Sequence, residues 1–224
     1  GQFAALEWSG QGAILRDLLG REYIDCLGGY GIFSAGINHP KIVKAVQDQM
    51  SRMALNSQEL LEPWRAGLAR LLAAVTPGEL GCCFFINNGT DAIEGAIKLA
   101  RLYTKRNTFV SALGGFHGKS MGSLSLMGKA SFREPFERGL QDVRFVPFGD
   151  ADALDREMHI LEAVGQLPAG VVLEPVQGEG GVHVAVEALR DFTRKDRGGS
   201  NELARCARVC RVARIMQPYL DSIA

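Results

Sequence analysis

Short apolar runs alternate along this chain with longer stretches whose apolar positions recur at helical spacing. From Lys41 to Met53 the apolar residues Ile42, Val43, Val46 and Met50 fall on one helical face. Leu60 to Val75 repeats the pattern with Leu61, Leu68, Leu71, Leu72 and Val75, and Thr76-Pro77-Gly78 stops it. Asp91 to Thr104 places Ala92, Ile93, Ala96, Ile97 and Ala100 together, and Ala151 to Val164 reads as a further helix. Four short runs lie between: Cys82-Cys83-Phe84-Phe85-Ile86, Thr108 to Ala112, Val143 to Val146, and Val171 to Glu174. Each is short and apolar enough for a strand buried on both faces, and Gly114-Gly115 and Pro175 end two of them. The alternation predicts an α/β fold, a mostly parallel sheet flanked by helices. Ligands of such sheets bind in the loops beyond the carboxyl ends of the strands. Asn87 to Thr90, Gly114 to His117 and Glu174 to Gly181 fall at those places.

Composition narrows the classes. The 224 residues are 46% apolar and 22% charged, enough for one large domain or two small ones with a buried core. The 25 basic and 25 acidic side chains cancel, which excludes a highly charged disordered chain and a basic nucleic-acid binder. No run approaches the ~18 apolar residues of a membrane span, so neither nucleic acid nor membrane is an expected partner. Gly1 stands where Met would begin a chain and no charged-then-apolar leader follows; a removed leader or a longer parent chain is expected. The five cysteines (Cys26, Cys82, Cys83, Cys206, Cys210) form no CxxC pair, and the four histidines show no ligand spacing. Reduced thiols, a cytoplasmic location and no metal site are expected. Between Arg194 and Arg214 seven basic residues meet two acidic ones, +5 against −5 for the remainder.

Three loops and one turn carry candidate chemistry. Asn88-Gly89-Thr90-Asp91 joins an apolar run to a helix, whose first turn offers unpaired N–H groups and the positive end of the helix dipole. Gly89 lets an anion approach the backbone and Thr90 adds a hydroxyl, which suits a phosphate; a plain N-cap is the alternative. Neither a Walker loop nor GxGxxG is present. In Gly114-Gly115-Phe116-His117-Gly118 an aromatic between glycines can lie on a planar ligand, or Phe116 can cover the core while His117 bonds locally. Glu174 to Gly181 places two carboxylates and an amide past a strand, able to meet a cation or to form a polar turn. Gly28-Gly29-Tyr30-Gly31 exposes a phenol or forms a turn.

Taken in order, these segments resemble class III pyridoxal-phosphate aminotransferases of fold type I. The matching stretches are Cys26-Leu-Gly-Gly-Tyr-Gly-Ile-Phe33, Asn38-His-Pro40, the run from Asn88 to Arg101, Phe116-His-Gly-Lys119 and Leu173-Glu-Pro-Val-Gln-Gly-Glu-Gly-Gly181. Ser57 to Leu61, Leu72 to Gly78, Ser131-Phe-Arg133 with Pro135-Phe136, and Val146-Pro-Phe-Gly149 narrow the likeness to members that act on putrescine. The resemblance implies pyridoxal 5'-phosphate as cofactor, held at its phosphate by Gly89 and Thr90. Asn88 stands where the family usually has Ser. Phe116, followed by His117, would stack on the pyridine ring, and Glu174 would lie beside the cofactor. Tyr30 and Glu179 would face the substrate, Glu179 as the acid that pairs with an Arg in relatives. An amine donor, putrescine, and a 2-oxo acid, 2-oxoglutarate, would be the substrates, and a homodimer the assembly. Ornithine-type or 4-aminobutyrate-type donors are alternatives.

The same resemblance implies an aspartate for the ring nitrogen and a Schiff-base lysine, both beyond Gly181. Lys41, Lys44, Lys98, Lys105, Lys119, Lys129 and Lys195 do not stand in that lysine's context, so no catalytic residue is assigned. The expectation is an incomplete chain of about half the implied length that forms no glutamate by itself. Its parts would be an amino-terminal segment of the small domain (1–55), part of the cofactor-binding large domain (56–190), and a divergent basic tail (191–224). A broken reading frame near residue 195 would account for the tail, a basic amphipathic helix being the rival. Two further readings are an aminotransferase-derived interaction protein without catalysis, and an unrelated nucleotide-binding α/β domain.

Overall fold

The computed structural model describes residues 6–57, 59–76 and 80–185. The chain divides into two units, Gly1–Ala66 and Gly67–Ala224. The readings of Gly1 and of the tail 191–224 fall outside the described residues.

The first unit opens with three short antiparallel strands, β1 (Glu7–Gln11), β2 (Ile14–Asp17) and β3 (Glu22–Ile24), in the order β1-β2-β3. Apolar periodicity did not reveal them: they are three to five residues long and mostly exposed, so neither face repeats an apolar pattern. Asp17 makes the β2–β3 turn. It is buried, and its carboxylate accepts from the backbone N–H of Leu19 and Arg21, from Arg21 Nε at 2.7 Å and from Tyr23 Oη. Helix α1 (Pro40–Arg52) starts on Pro40, whose fixed φ suits a first helical position. Its apolar stripe Ile42, Val46 and Met50 is exposed.

Helix α2 (Pro63–Val75) begins later than the periodicity suggests. Pro63 takes a place where no N–H is needed, and the Glu62 carboxylate caps the amides of Trp64 and Arg65 at 2.9 and 2.6 Å. Leu60 and Leu61 are left outside it, exposed. The strand expected over Cys82 to Ile86 does not form: no residue of it pairs with another strand among the described residues, and Phe84 is exposed. An apolar run becomes a strand only where a neighbour takes up its N–H and C=O groups, and none of those described does so.

The remaining elements follow the expected alternation. Helix α3 (Gly89–Thr104) is capped by Asn88, whose Oδ1 accepts from Asp91 N at 2.9 Å, and it ends where Lys105 turns left-handed. Strand β4 (Phe109–Ala112) follows, then two short helices, α4 (Met121–Ser125) and α5 (Ala130–Arg133), and a 3-10 turn at Glu134–Gly139. Strand β5 (Val143–Val146), helix α6 (Ala151–Ala163), capped by the Asp150 side chain, and strand β6 (Gly170–Val172) complete the layer. The three strands are parallel in the order β5-β4-β6, so β4 is central and each of its residues is buried. One core cluster joins Val110, Val146, Val171 to Leu154, Met158 and Leu161 of α6. The other joins Ile97 and Ala100 of α3 to Phe109, Leu126 and Ala169. Leu173 and Glu174 lie beyond β6 rather than within it. A two-residue antiparallel pair, β7 (Val176–Gln177) with β8 (His183–Val184), folds the last described segment back on itself. Among the described residues no helix is long and apolar enough to cross a membrane, and no group of His, Cys, Asp and Glu is arranged to hold a metal.

Candidate active site

The site is built around the carboxyl end of β4. The chain leaves β4 through Leu113 and Gly114, the latter with φ +78°, and turns into Phe116 to Ser120. Four contacts draw the neighbouring loops onto this one. A Cβ at Gly118 would strike Thr90 Oγ1, so the loop backbone rests on the Thr90 side chain at the start of α3. The Phe116 amide donates to Glu174 Oε2 at 2.9 Å. Gln177, only 2% exposed, donates from Nε2 to the Leu113 carbonyl at 2.9 Å, and Gly180 packs on the Gly114 carbonyl. Three segments far apart in sequence therefore meet, and Gly118 is the point of closest approach.

Each candidate residue has a definite place. The Asn88 side chain is engaged inside its own helix, by Asp91 N and Asp91 Oδ2. Beyond it the first-turn N–H groups have no partner within the helix. A Cβ at Gly89 would meet nothing within 4 Å, so the backbone there faces open space, with the Thr90 hydroxyl alongside. Phe116 is half-buried; its ring meets Phe132 of α5 edge-on, 6.3 Å between centroids at 87°. The Lys119 ammonium lies 5.9 Å from the Phe116 ring centroid and 5.2 Å from that of Phe132. Burial pushes the Glu174 carboxyl up from its ordinary range, against the lowering effect of the Phe116 and Gly178 amides. Glu179 is exposed and faces a lysine: Lys129 Nζ is 3.6 Å from Oε1 and donates to the Glu179 carbonyl. Tyr30 belongs to the first unit, where it is exposed and holds a left-handed φ of 57°.

His117 turns into the core. Its Nε2 lies 3.3 Å from Ser111 Oγ on β4, and its amide donates to Met127 Sδ. Ser111 already donates its only hydroxyl proton to the Leu126 carbonyl, so Nε2 carries the imidazole proton. Burial pushes the ring's pKa down to about 4 from 6.5. Between these values the unfolded chain takes up a proton that the folded chain refuses. Stability is therefore full above pH 6.5 and falls as the pH drops toward 4, by at most about 3 kcal/mol. Glu174, raised by burial, works in the opposite direction just above the ordinary carboxyl range. Urea unfolding at pH 7 and pH 5 should show the loss in the wild type and a smaller one in His117→Gln; equal losses would refute the assignment.

Sequence reasoning missed the polar anchors under the loop. Glu94 Oε1 on α3 accepts from Ser120 Oγ at 2.5 Å and from Ser123 N at 2.9 Å. Ser125 Oγ accepts from Gln141 N. The available signal was the spacing of Gly118, Gly122 and Gly128, each of which sits where a Cβ would strike a neighbour.

Loops gathered at the carboxyl ends of parallel strands, beside an open helix N-terminus and an aromatic ring, define an α/β protein of the kind whose ligands bind in those loops. Two solved structures are similar to this chain. One is a new transaminase from the marine bacterium Virgibacillus, 26% identical, covering 86% of this chain and 47% of its own, with a TM-score of 0.76. Another is the adenosylmethionine-8-amino-7-oxononanoate aminotransferase of Methanocaldococcus jannaschii DSM 2661, alike in fold at 22% identity and a TM-score of 0.77, covering 86% of this chain and 46% of its own. The chain thus spans about half the length of both. The family model for class-III aminotransferases matches residues 3–196, and the chain belongs to that family, whose members depend on pyridoxal phosphate.

The residues present fit that cofactor. A phosphate needs converging N–H and O–H donors with room beside them, which Gly89 and Thr90 offer; an aromatic ring and a carboxyl of raised pKa lie in the adjoining loops.

Proposed function

We propose that this chain supplies the phosphate grip and the ring cover of a pyridoxal-phosphate site that moves an amino group from putrescine to 2-oxoglutarate. The observation that supports it most is the contact of Gly118 with Thr90, which joins the helix start to the loop bearing Phe116. When bound, the cofactor supplies an electron sink for the carbon that bears the amine.

The protein's own groups do the rest. The first-turn amides of α3 and the Thr90 hydroxyl bind the phosphate dianion, helped by the positive end of the helix. Asn88 keeps that helix start in shape and leaves the outward amides to the ligand. Phe116 covers one face of the ring and excludes water from it; the Glu174 carboxyl holds the Phe116 amide and so fixes where that face lies. His117, neutral and buried, supports the loop from below. Glu179 is the substrate-facing group of this reading within the larger unit, and the same role for Tyr30 rests on the sequence likeness alone, as do a homodimer and a cytoplasmic location. The diamine is drawn from the sequence likeness.

Gly89→Ala separates the site from the fold. Its methyl would enter empty space, so the urea midpoint should stay at the wild-type value. The same methyl would occupy the approach of the phosphate, and affinity for pyridoxal phosphate should fall about tenfold, near 1.4 kcal/mol. Equilibrium dialysis of the purified chain reads this directly; unchanged affinity would overturn the phosphate assignment. In the natural protein that contains this sequence, putrescine should support glutamate formation faster than ornithine or 4-aminobutyrate, and the reverse order would overturn the donor.

A further inference from the structure

The floor of the loop is a polar relay that begins on α3 and ends at Thr90. Glu94 lies on α3, little more than one turn beyond the helix start. Its Oε1 takes the Ser120 hydroxyl at 2.5 Å and the Ser123 amide at 2.9 Å. The Gly122 backbone lies against the same carboxylate: a Cβ there would strike it. Ser120 Oγ and Ser123 Oγ are 3.0 Å apart. Ser123 Oγ lies 2.7 Å from where a Gly118 Cβ would be, and Gly118 rests on Thr90. One carboxylate thus pins the segment 120–123 to the same helix whose first turn carries Gly89 and Thr90.

From this geometry we infer that Glu94 is a positioning residue for the phosphate grip: it sets the height of the 118–123 segment above α3, and so the place of the Thr90 hydroxyl. The inference rests on the reading that Gly89 and Thr90 take the cofactor phosphate. A charged acceptor suits the task, because bonds to an ionised oxygen are shorter and stronger than neutral ones. Two donors converge on the carboxylate, one of them the Ser123 backbone amide, so the bonds hold the turn's main chain and not only a side chain. Burial pushes Glu94 up, yet the bonds from Ser120 and Ser123, with the Gly122 backbone and Lys98 nearby, outweigh it and keep the carboxyl below its ordinary range. Glu94 is therefore ionised wherever the protein is folded near neutral pH. An uncharged side chain at this position would loosen the segment and leave Thr90 without its neighbour, while the parallel sheet and its core stay intact, because Glu94 is a member of neither core cluster.

The test compares pyridoxal phosphate with pyridoxal, which has the ring but no phosphate. Wild type, Glu94→Gln and Glu94→Ala are measured by equilibrium dialysis at 15 °C, with urea midpoints recorded for each. Glu94→Gln should weaken pyridoxal phosphate about fivefold and Glu94→Ala about tenfold or more, with pyridoxal changed less than about twofold in both. Gln retains one accepting oxygen, so it should lie between wild type and Ala. A proportional loss for both ligands, or an unchanged ratio, would overturn the positioning role. Should Glu94→Ala fail to fold, the ratio in Glu94→Gln decides alone. A wild type with no preference for the phosphorylated ligand would instead overturn the phosphate reading itself, and this inference with it.

Discussion

Gly128→Ala is expected to cost the larger unit at least about 3 kcal/mol, the upper range of overpacking a tight site. A Cβ at Gly128 would strike three backbone atoms: the amides of Gly114 and Gly115 and the carbonyl of Ala112. None is the movable end of a side chain. The Gly128 amide also donates to the Gly115 carbonyl at 2.8 Å, so the two segments are already joined at main-chain contact. To admit a methyl, the turn after β4 must lift off the segment that follows α4. That turn carries Phe116, so the ring cover should be lost with the stability. Urea unfolding followed by tryptophan-independent far-UV circular dichroism reads the first effect, and pyridoxal phosphate affinity the second. Gly178→Ala serves as the control, since a Cβ there meets nothing within 4 Å. A Gly128→Ala midpoint equal to that of the control would show that the close approach is not needed.

Phe109→Ala should cost about 3–5 kcal/mol, the usual penalty for removing a buried aromatic side chain. Phe109 begins the central strand and is 1% exposed. Its ring lies among Ile97 and Ala100 of α3, Leu126 and Ala169, with Ile93, Val143 and Val172 at the margin. The Arg101 guanidinium stands 5.9 Å from its centroid. Both flanking strands are held on either side of this position, Val143 in one register and Gly170 in the other. The neighbours cannot all collapse into the space, because they come from several segments, α3 and both flanking strands among them, each pinned by its own hydrogen bonds. Phe109→Leu keeps most of the volume and should cost under about 1.5 kcal/mol. A loss of that smaller size in Phe109→Ala would place the ring outside the stability-determining core. For a domain whose whole stability is in the range of about 5–15 kcal/mol, the full loss would leave a large unfolded fraction under mild urea.

Much of this arrangement was legible before any coordinates. The helices from Pro40, Gly89 and Ala151 lie within one or two residues of their expected starts, because each is announced locally: by Pro40 at a first position, by Asn88 as a cap, by Asp150 as another. Strands β4 and β5 were legible as short apolar runs, the first of them ended by Gly114-Gly115. The three loops stood out for the same reason, since glycine beside a hydroxyl or a carboxylate is a local signal. The antiparallel strands before Asp17 were not legible, because exposed strands of three to five residues carry no periodicity. Nor was Glu94, which reads as an ordinary helix-surface acid until Ser120 and Ser123 are brought against it.

By itself, the order of residues determined the helices that begin at Pro40, Gly89 and Ala151, and the loops in which glycine stands beside hydroxyl, aromatic or carboxylate groups. These are matters of the first and last turns and of side-chain period, decided within a few residues. Tertiary structure alone decided that Cys82 to Ile86 stays unpaired among the described residues, that His117 faces Ser111, and that Gly118 seats its backbone on Thr90. Pairing, burial and close approach each require a second segment from far along the chain, and which segment arrives there depends on how the whole sheet is ordered, not on any local pattern.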